Sequence, residues 1–232
     1  MAGNIQSCWL RFDPFDSNLL NNFFCVLKMI KLPIEIDTVK GFLHPDEGEA
    51  LYNICLEISS LGPALEVGSY CGKSAIYLGL ACLERDNTLY TIDHHRGSEE
   101  HQPGEGYHDE ELFDSELNQM DSFSEFRKNI EMAGLSENVI PIVSSSVAVA
   151  KNWVGPLGMV FIDGGHSMEA ALNDYRAWSC HIRQGGFLTI HDIFLDPSKG
   201  GQAPHEVMKL ALSSGLFDER DRVKTLAILE RI

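Results

Sequence analysis

Two short apolar runs each end in residues that can do chemistry. Phe161-Ile162-Asp163-Gly164-Gly165-His166 sets an aspartate at the end of one, with a histidine three residues on. Phe187-Leu188-Thr189-Ile190-His191-Asp192 closes the other with an imidazole and a carboxylate. The stretch between them reads as a helix from Ser167 to Gln184, about 27 Å long at ~1.5 Å per residue. A strand, a helix and a returning strand make a right-handed crossover with parallel neighbours. The C-terminal ends of the two strands then lie side by side, where open α/β sheets bind their ligands. Asp163, His166, His191 and Asp192 would share that edge. Such a cluster is costly unless it binds a cation or works on protons. Helix capping would explain the two aspartates, but not the two histidines beside them.

A second chemical stretch is Ala64-Leu65-Glu66-Val67-Gly68-Ser69-Tyr70-Cys71-Gly72-Lys73-Ser74. A strand over 64–68 breaks into a glycine loop, and a helix follows over 73–84. Such a loop lets a ligand touch backbone at a helix N-terminus. The dinucleotide fingerprint needs three glycines, and only Gly68 and Gly72 are present. The phosphate loop shares the tail Gly72-Lys73-Ser74, but its first glycine would fall on Val67. An ordinary strand-to-helix turn is a further reading. Asp93 follows the run Thr88–Ile92, 21 residues past Gly72. An acid at that place accepts hydrogen bonds from ribose hydroxyls in nucleotide-binding α/β units, although it could also cap the next turn. The pattern Glu-x-Gly-x-x-x-Gly resembles the first motif of class I S-adenosylmethionine (SAM) methyltransferases.

The elements that must position these residues follow from the pattern. Pro45 and the acids after it start a helix that reaches about Ser60, where Gly62-Pro63 stops it. Ser122-Phe123-Ser124-Glu125 reads as a capping box, with Phe123, Phe126, Ile130 and Ala133 as a core face and Gly134 at the end. A strand over 139–143 leads into Ser144-Ser145-Ser146 and a short helix. Ser167 caps the helix bearing Ala171, Leu172, Tyr175, Trp178 and Ile182, and Gly185-Gly186 ends it. Segment 195–204 reads as a loop, 205–214 as a helix, and 217–223 with 225–230 as a hairpin. The expected class is α/β: a Rossmann-like, doubly wound, mostly parallel seven-stranded sheet with an antiparallel edge strand. Residues 1–40 read as an N-terminal extension and 41–232 as the domain. Segment 94–120 lacks periodicity and is too long for a simple connection, so it reads as a lid or a solvated loop. Its histidines, His94, His95, His101 and His108, match no metal-ligand spacing.

With 18 basic against 34 acidic residues, the chain carries a formal charge of −16. That balance argues against nucleic acid and against an anionic membrane surface. Six scattered cysteines without a C-x-x-C pair read as reduced thiols. The first thirty residues show no leader pattern, and the apolar patch 23–30 is too short to span a bilayer. A cytoplasmic protein, with a homo-oligomer possible, is the expectation.

The two strand ends with their flanks, Phe161–Ser167 and Gly185–Asp192, resemble the metal-dependent O-methyltransferase branch. The macrocin/mycinamicin sugar O-methyltransferases and the cephalosporin-hydroxylase-like methyltransferases are most similar. The resemblance covers about residues 60–232, apart from 94–120. It implies the class I methyltransferase fold and SAM as cofactor. Glu66, Gly68, Ser69, Tyr70, Gly72, Lys73 and Ser74 would bind the cofactor in the first loop, with Asp93 on the ribose and Ser145 and Asp163 also in contact. It further implies a divalent cation, Mg²⁺ or Mn²⁺, on Asp163, His191 and Asp192, and His166 as the base. His191 stands where that branch usually has an acid, which moves the expected preference toward metals that take imidazole. The implied activity is methyl transfer to a hydroxyl of a small sugar or phenolic acceptor. A non-catalytic SAM-binding protein and a nucleotide-binding oxidoreductase or kinase are the competing readings.

Overall fold

A computed structural model describes residues 30–106 and 108–232. All of the apolar patch 23–30 but Ile30, and most of the expected extension, therefore lie outside the described residues. One compact unit spans Leu32–Ile232. It begins before residue 41: Val39 is buried and Lys40 lines the main cavity.

The chain lays down α1 (Pro45–Glu57), β1 (Ala64–Val67), α2 (Lys73–Glu84) and β2 (Leu89–Asp93). The short strands β3 (Phe113–Asp114) and β4 (Gln119–Met120) follow, then α3 (Phe123–Met132), β5 (Val139–Val143) and α4 (Ser146–Ala150). The last third holds β6 (Leu157–Ile162), α5 (Met168–Trp178), β7 (Ile182–Ile190), α6 (Ala203–Ser213), β8 (Phe217–Val223) and β9 (Leu226–Arg231). Seven strands form the main sheet in the order β5-β2-β1-β6-β7-β9-β8. The first five are parallel, and the β8–β9 hairpin closes one side, with β9 antiparallel to β7. β1 and β6 are buried along their whole length, as expected of strands covered on both faces. The core between the sheet and α5 and α6 includes Leu65, Val160, Trp178, Leu188, Val207 and Phe217.

Three expectations are corrected. Helix α5 ends at Trp178, and after a short turn at Ser179–His181 the chain is already in β7 at Ile182. Gly185-Gly186 therefore lies inside a strand and does not end the helix. The register jumps there from Leu157↔Ile182 to Met159↔Phe187, so β7 bulges, and a Cβ on Gly186 would run into the Gly158 carbonyl. Ser122 makes no side-chain cap on α3. Its hydroxyl instead pairs with His95 Nδ1 at 2.9 Å, and Asp121 Oδ1 accepts the Phe123 N–H at 2.9 Å. Segment 94–120 carries some order of its own: β3 and β4 pair within it, and Leu112 and Met120 pack on Cys71.

Candidate active site

The C-terminal ends of β1, β2, β5, β6 and β7 open into one cavity of about 490 Å³. Gly68, Ser69, Tyr70, Lys73, Ser74, Asp93, Ser145, Asp163, His166, His191 and Asp192 all line it. Glu66 and Gly72 are absent from its wall. Glu66 is fully buried behind the loop, where Ser74 Oγ donates to its Oε1 at 2.5 Å. Burial pushes its carboxyl up to about 8, despite the Ser74 hydroxyl.

Gly68 holds φ +86°, and a Cβ there would run into the Asp163 carbonyl. The β1 and β6 tips thus approach backbone to backbone, which only glycine permits. Asp93 secures the loop from the other side. Its Oδ2 accepts the backbone N–H groups of Ser69 and Tyr70, each at 2.9 Å, and its Oδ1 accepts that of His95 at 2.7 Å. Tyr70 has φ 44°, a left-handed backbone that these bonds hold in place. Ser69 Oγ and Glu66 Oε2 are both buried, and the Ser69 hydroxyl faces the Glu66 carboxyl. Open volume and close backbone together fit a nucleoside-bearing ligand of SAM's size.

At the β6 and β7 tips one ligand atom each from Asp163, His191 and Asp192 lies within 4.8 Å of the others. His191 Nδ1 is 3.1 Å from Asp163 Oδ1 and 3.5 Å from Asp192 Oδ2. Its Nε2 is 3.0 Å from Glu47 Oε2. Burial opposes the charge on His191, yet Asp163, with Asp192 and Glu47, holds it well above the usual imidazole range. Burial likewise opposes the charge on Glu47, and His191 and Thr225 hold that carboxyl down at about 2. Two carboxylates and one imidazole form a donor set for a borderline divalent cation, and an acid bonded to the far imidazole nitrogen suits such a site. Asp192 itself sits at φ 58°, which aims its side chain back toward His166 and His191.

His166 stands beside this set. Its Nε2 is 2.9 Å from Asp192 Oδ2 and its Nδ1 is 3.1 Å from Glu100 Oε2. Asp192 raises its pKa to about 9, against burial and with help from Glu100. Segment 94–120 therefore contributes an acid to the site, and His94 and His101 also reach the cavity wall. His95 does not: it is buried against Phe123 and Phe126 as a core residue. Lys40 Nζ bonds Asp109 at 2.6 Å and Glu111 at 2.7 Å, tying the segment to the chain before α1.

Sequence reasoning missed Glu47 and Glu100. Each meets its histidine across a gap of 144 or 66 positions, so no local spacing announces it. The only local signal for Glu47 is its place three residues after His44, which caps α1 in a reciprocal box with it.

Residues 65–193 match the family of methyltransferase domains. Solved structures with the same fold include cofactor-bound Rv0187 from MTB, at TM-score 0.62 and 14% identity, covering 96% of this chain and 99% of that one. The O-methyltransferase from Bacillus cereus, in complex with SAH, aligns at TM-score 0.60 and 13% identity over 92% and 97% of the two chains. The O-methyltransferase TomG from Streptomyces achromogenes, involved in tomaymycin synthesis and bound to SAM, aligns at TM-score 0.56 and 16% identity over 82% and 81%.

Proposed function

The chain belongs to the family of methyltransferase domains and is a SAM-dependent methyltransferase, and from that premise we propose that it methylates a hydroxyl of a small sugar or phenolic acceptor with the help of a divalent cation. One observation carries this reading: Asp163, His191 and Asp192 converge within 4.8 Å beside the glycine loop. A cation there would suit an oxygen nucleophile, whose proton must be lost for it to attack.

The methionine end of SAM would lie at Gly68 and Ser69, with the ribose on Asp93 and the adenine toward Ser145. SAM brings a methyl group already activated as a sulfonium, so the chain must align an oxygen nucleophile with it. Asp163, His191 and Asp192 would hold the cation, and a cation there lowers the pKa of an acceptor hydroxyl. His166 would take the hydroxyl proton as the O–CH₃ bond forms and the S–CH₃ bond breaks. Both carboxylates beside His166 favour its protonated form, so recruitment of Asp192 as a ligand would remove the stronger of the two. Segment 94–120 would act as the cover that excludes water, placing Glu100 over the reacting groups.

The test is methyl transfer from SAM to phenolic and sugar acceptors, with and without EDTA. Loss of turnover in EDTA and its return with Mn²⁺ or Mg²⁺ supports the reading. Turnover unchanged by EDTA refutes the metal half, and the cluster would then be a hydrogen-bonded group that orients the acceptor.

A further inference from the structure

Glu47 sits in the first turn of α1, a helix outside the sheet, and is only 2% exposed. Donors surround both of its oxygens. Oε1 accepts the Thr225 N–H at 2.8 Å and the Thr225 hydroxyl at 2.7 Å. Oε2 accepts the His44 N–H at 3.0 Å and lies 3.0 Å from His191 Nε2. Each oxygen thus faces one backbone N–H, which can only donate. A carboxamide cannot satisfy both, since its NH₂ would meet one N–H head on. A protonated acid would keep only one oxygen as a full acceptor against three donors, the Thr225 N–H, the Thr225 hydroxyl and the His44 N–H, and these hold the group as a carboxylate. Glu47 is therefore a carboxylate, with no proton to give, and His191 Nε2 must be the donor of their hydrogen bond. The other ring nitrogen, Nδ1, is the one turned toward Asp163 and Asp192.

We propose that Glu47 is the positioning residue of the cation site: it holds the His191 Nε2–H and the tilt of the ring, so that Nδ1, on losing its proton to solvent as a cation enters, completes the ligand set with Asp163 and Asp192. This rests on the metal half of the functional reading. A metal-ligating imidazole usually donates its far N–H to a carboxylate, which orients the ring and raises its basicity. The ligand class is a divalent cation that accepts nitrogen, such as Mn²⁺, in preference to one that demands oxygen alone. The alternative is a set of contacts that only clips α1 to the end of β7 and to the β8–β9 turn.

Mn²⁺ titration of the full chain, followed by electron paramagnetic resonance, separates the two. S-adenosylhomocysteine binding and thermal melting are measured alongside, for wild type, Glu47→Gln, His191→Asn and the double variant. Glu47→Gln should weaken Mn²⁺ by about 10–100-fold, the usual effect of losing such an outer partner. It should leave S-adenosylhomocysteine affinity unchanged and add nothing to the loss already caused by His191→Asn. Equal Mn²⁺ affinity in wild type and Glu47→Gln overturns the proposal. So does a loss that adds to that of His191→Asn, because Glu47 would then act through the fold and not through the imidazole. If Glu47→Gln fails to fold, Glu47→Asp makes the same comparison, since it keeps the charge but withdraws it from His191. Wild type that binds no Mn²⁺ refutes the metal reading itself, which is a different result from an Mn²⁺-binding protein indifferent to Glu47.

Discussion

Asp93→Asn should destabilise the protein before any cofactor is added. The substitution keeps size and shape and changes only hydrogen bonding and charge. In the native loop Oδ2 accepts two N–H groups and Oδ1 accepts a third. Asparagine has one acceptor oxygen. In its better orientation the oxygen keeps Ser69 and Tyr70, and the NH₂ faces the His95 N–H. One charge-assisted bond is then lost, the other two are weakened, and two donors oppose each other. A bond to a charged group is worth about 1.5–3 kcal/mol, and Asp93 is only half-buried, so about 2–3 kcal/mol is expected. Urea unfolding of ligand-free protein measures it, with calorimetric S-adenosylhomocysteine affinity as the second readout. A residue that served the ribose alone would lower affinity and leave the unfolding free energy of the free protein unchanged. That result would refute the loop-holding argument.

Glu66→Gln should flatten the dependence of stability on pH. Its carboxyl rises from 4.5 to about 8 on folding, so between those values the folded state holds the extra proton and stability falls as pH rises. The slope is up to about 1.4 kcal/mol per pH unit, and parallel urea profiles for variant and wild type would contradict it. His166→Ala should slow methyl transfer by ~10²–10⁴ while S-adenosylhomocysteine and Mn²⁺ still bind, and a rate near wild type would remove His166 as the base. Amide exchange in 94–120 should be fast in the free protein and slower with cofactor and acceptor bound, and faster again in Lys40→Ala. Full protection without ligand would count against a moving cover.

The parts of this molecule that could be read from sequence are those fixed by neighbours in sequence. The strand ends at Asp93, Asp163 and Asp192 were legible because apolar runs stop there and the crossover rule stacks them in parallel. Ser167 does cap α5, with its Oγ accepting the Ala170 N–H at 3.2 Å. The errors share one cause. Ser122 looked like a cap, but His95 competes for its hydroxyl from 27 positions away. Gly185-Gly186 looked like a helix end, but it answers to the Gly158 carbonyl on the next strand. Glu47 looked like one of several acids opening a helix, but its Oε1 serves Thr225 in the final turn and its Oε2 reaches His191 just past β7. In each case a distant partner decided a residue's role, and local propensity had no access to it.

The Glu47 contact with Thr225 spans 178 positions. Helix α1 leaves the ribosome early, while Thr225 sits in the turn between the last two strands. A nascent chain that has emerged only through Asp192 already has Asp163, His191 and Asp192, but Glu47 still lacks the partner that anchors its other oxygen. The imidazole can settle into its working orientation only once the hairpin closes over it. Long-range contacts of this kind form late, after their loop-closure cost has been met. If Glu47 positions His191 as proposed, the cation site waits for the β8–β9 turn, and a copy without that turn would hold Asp163, His191 and Asp192 with their orienting acid only half anchored.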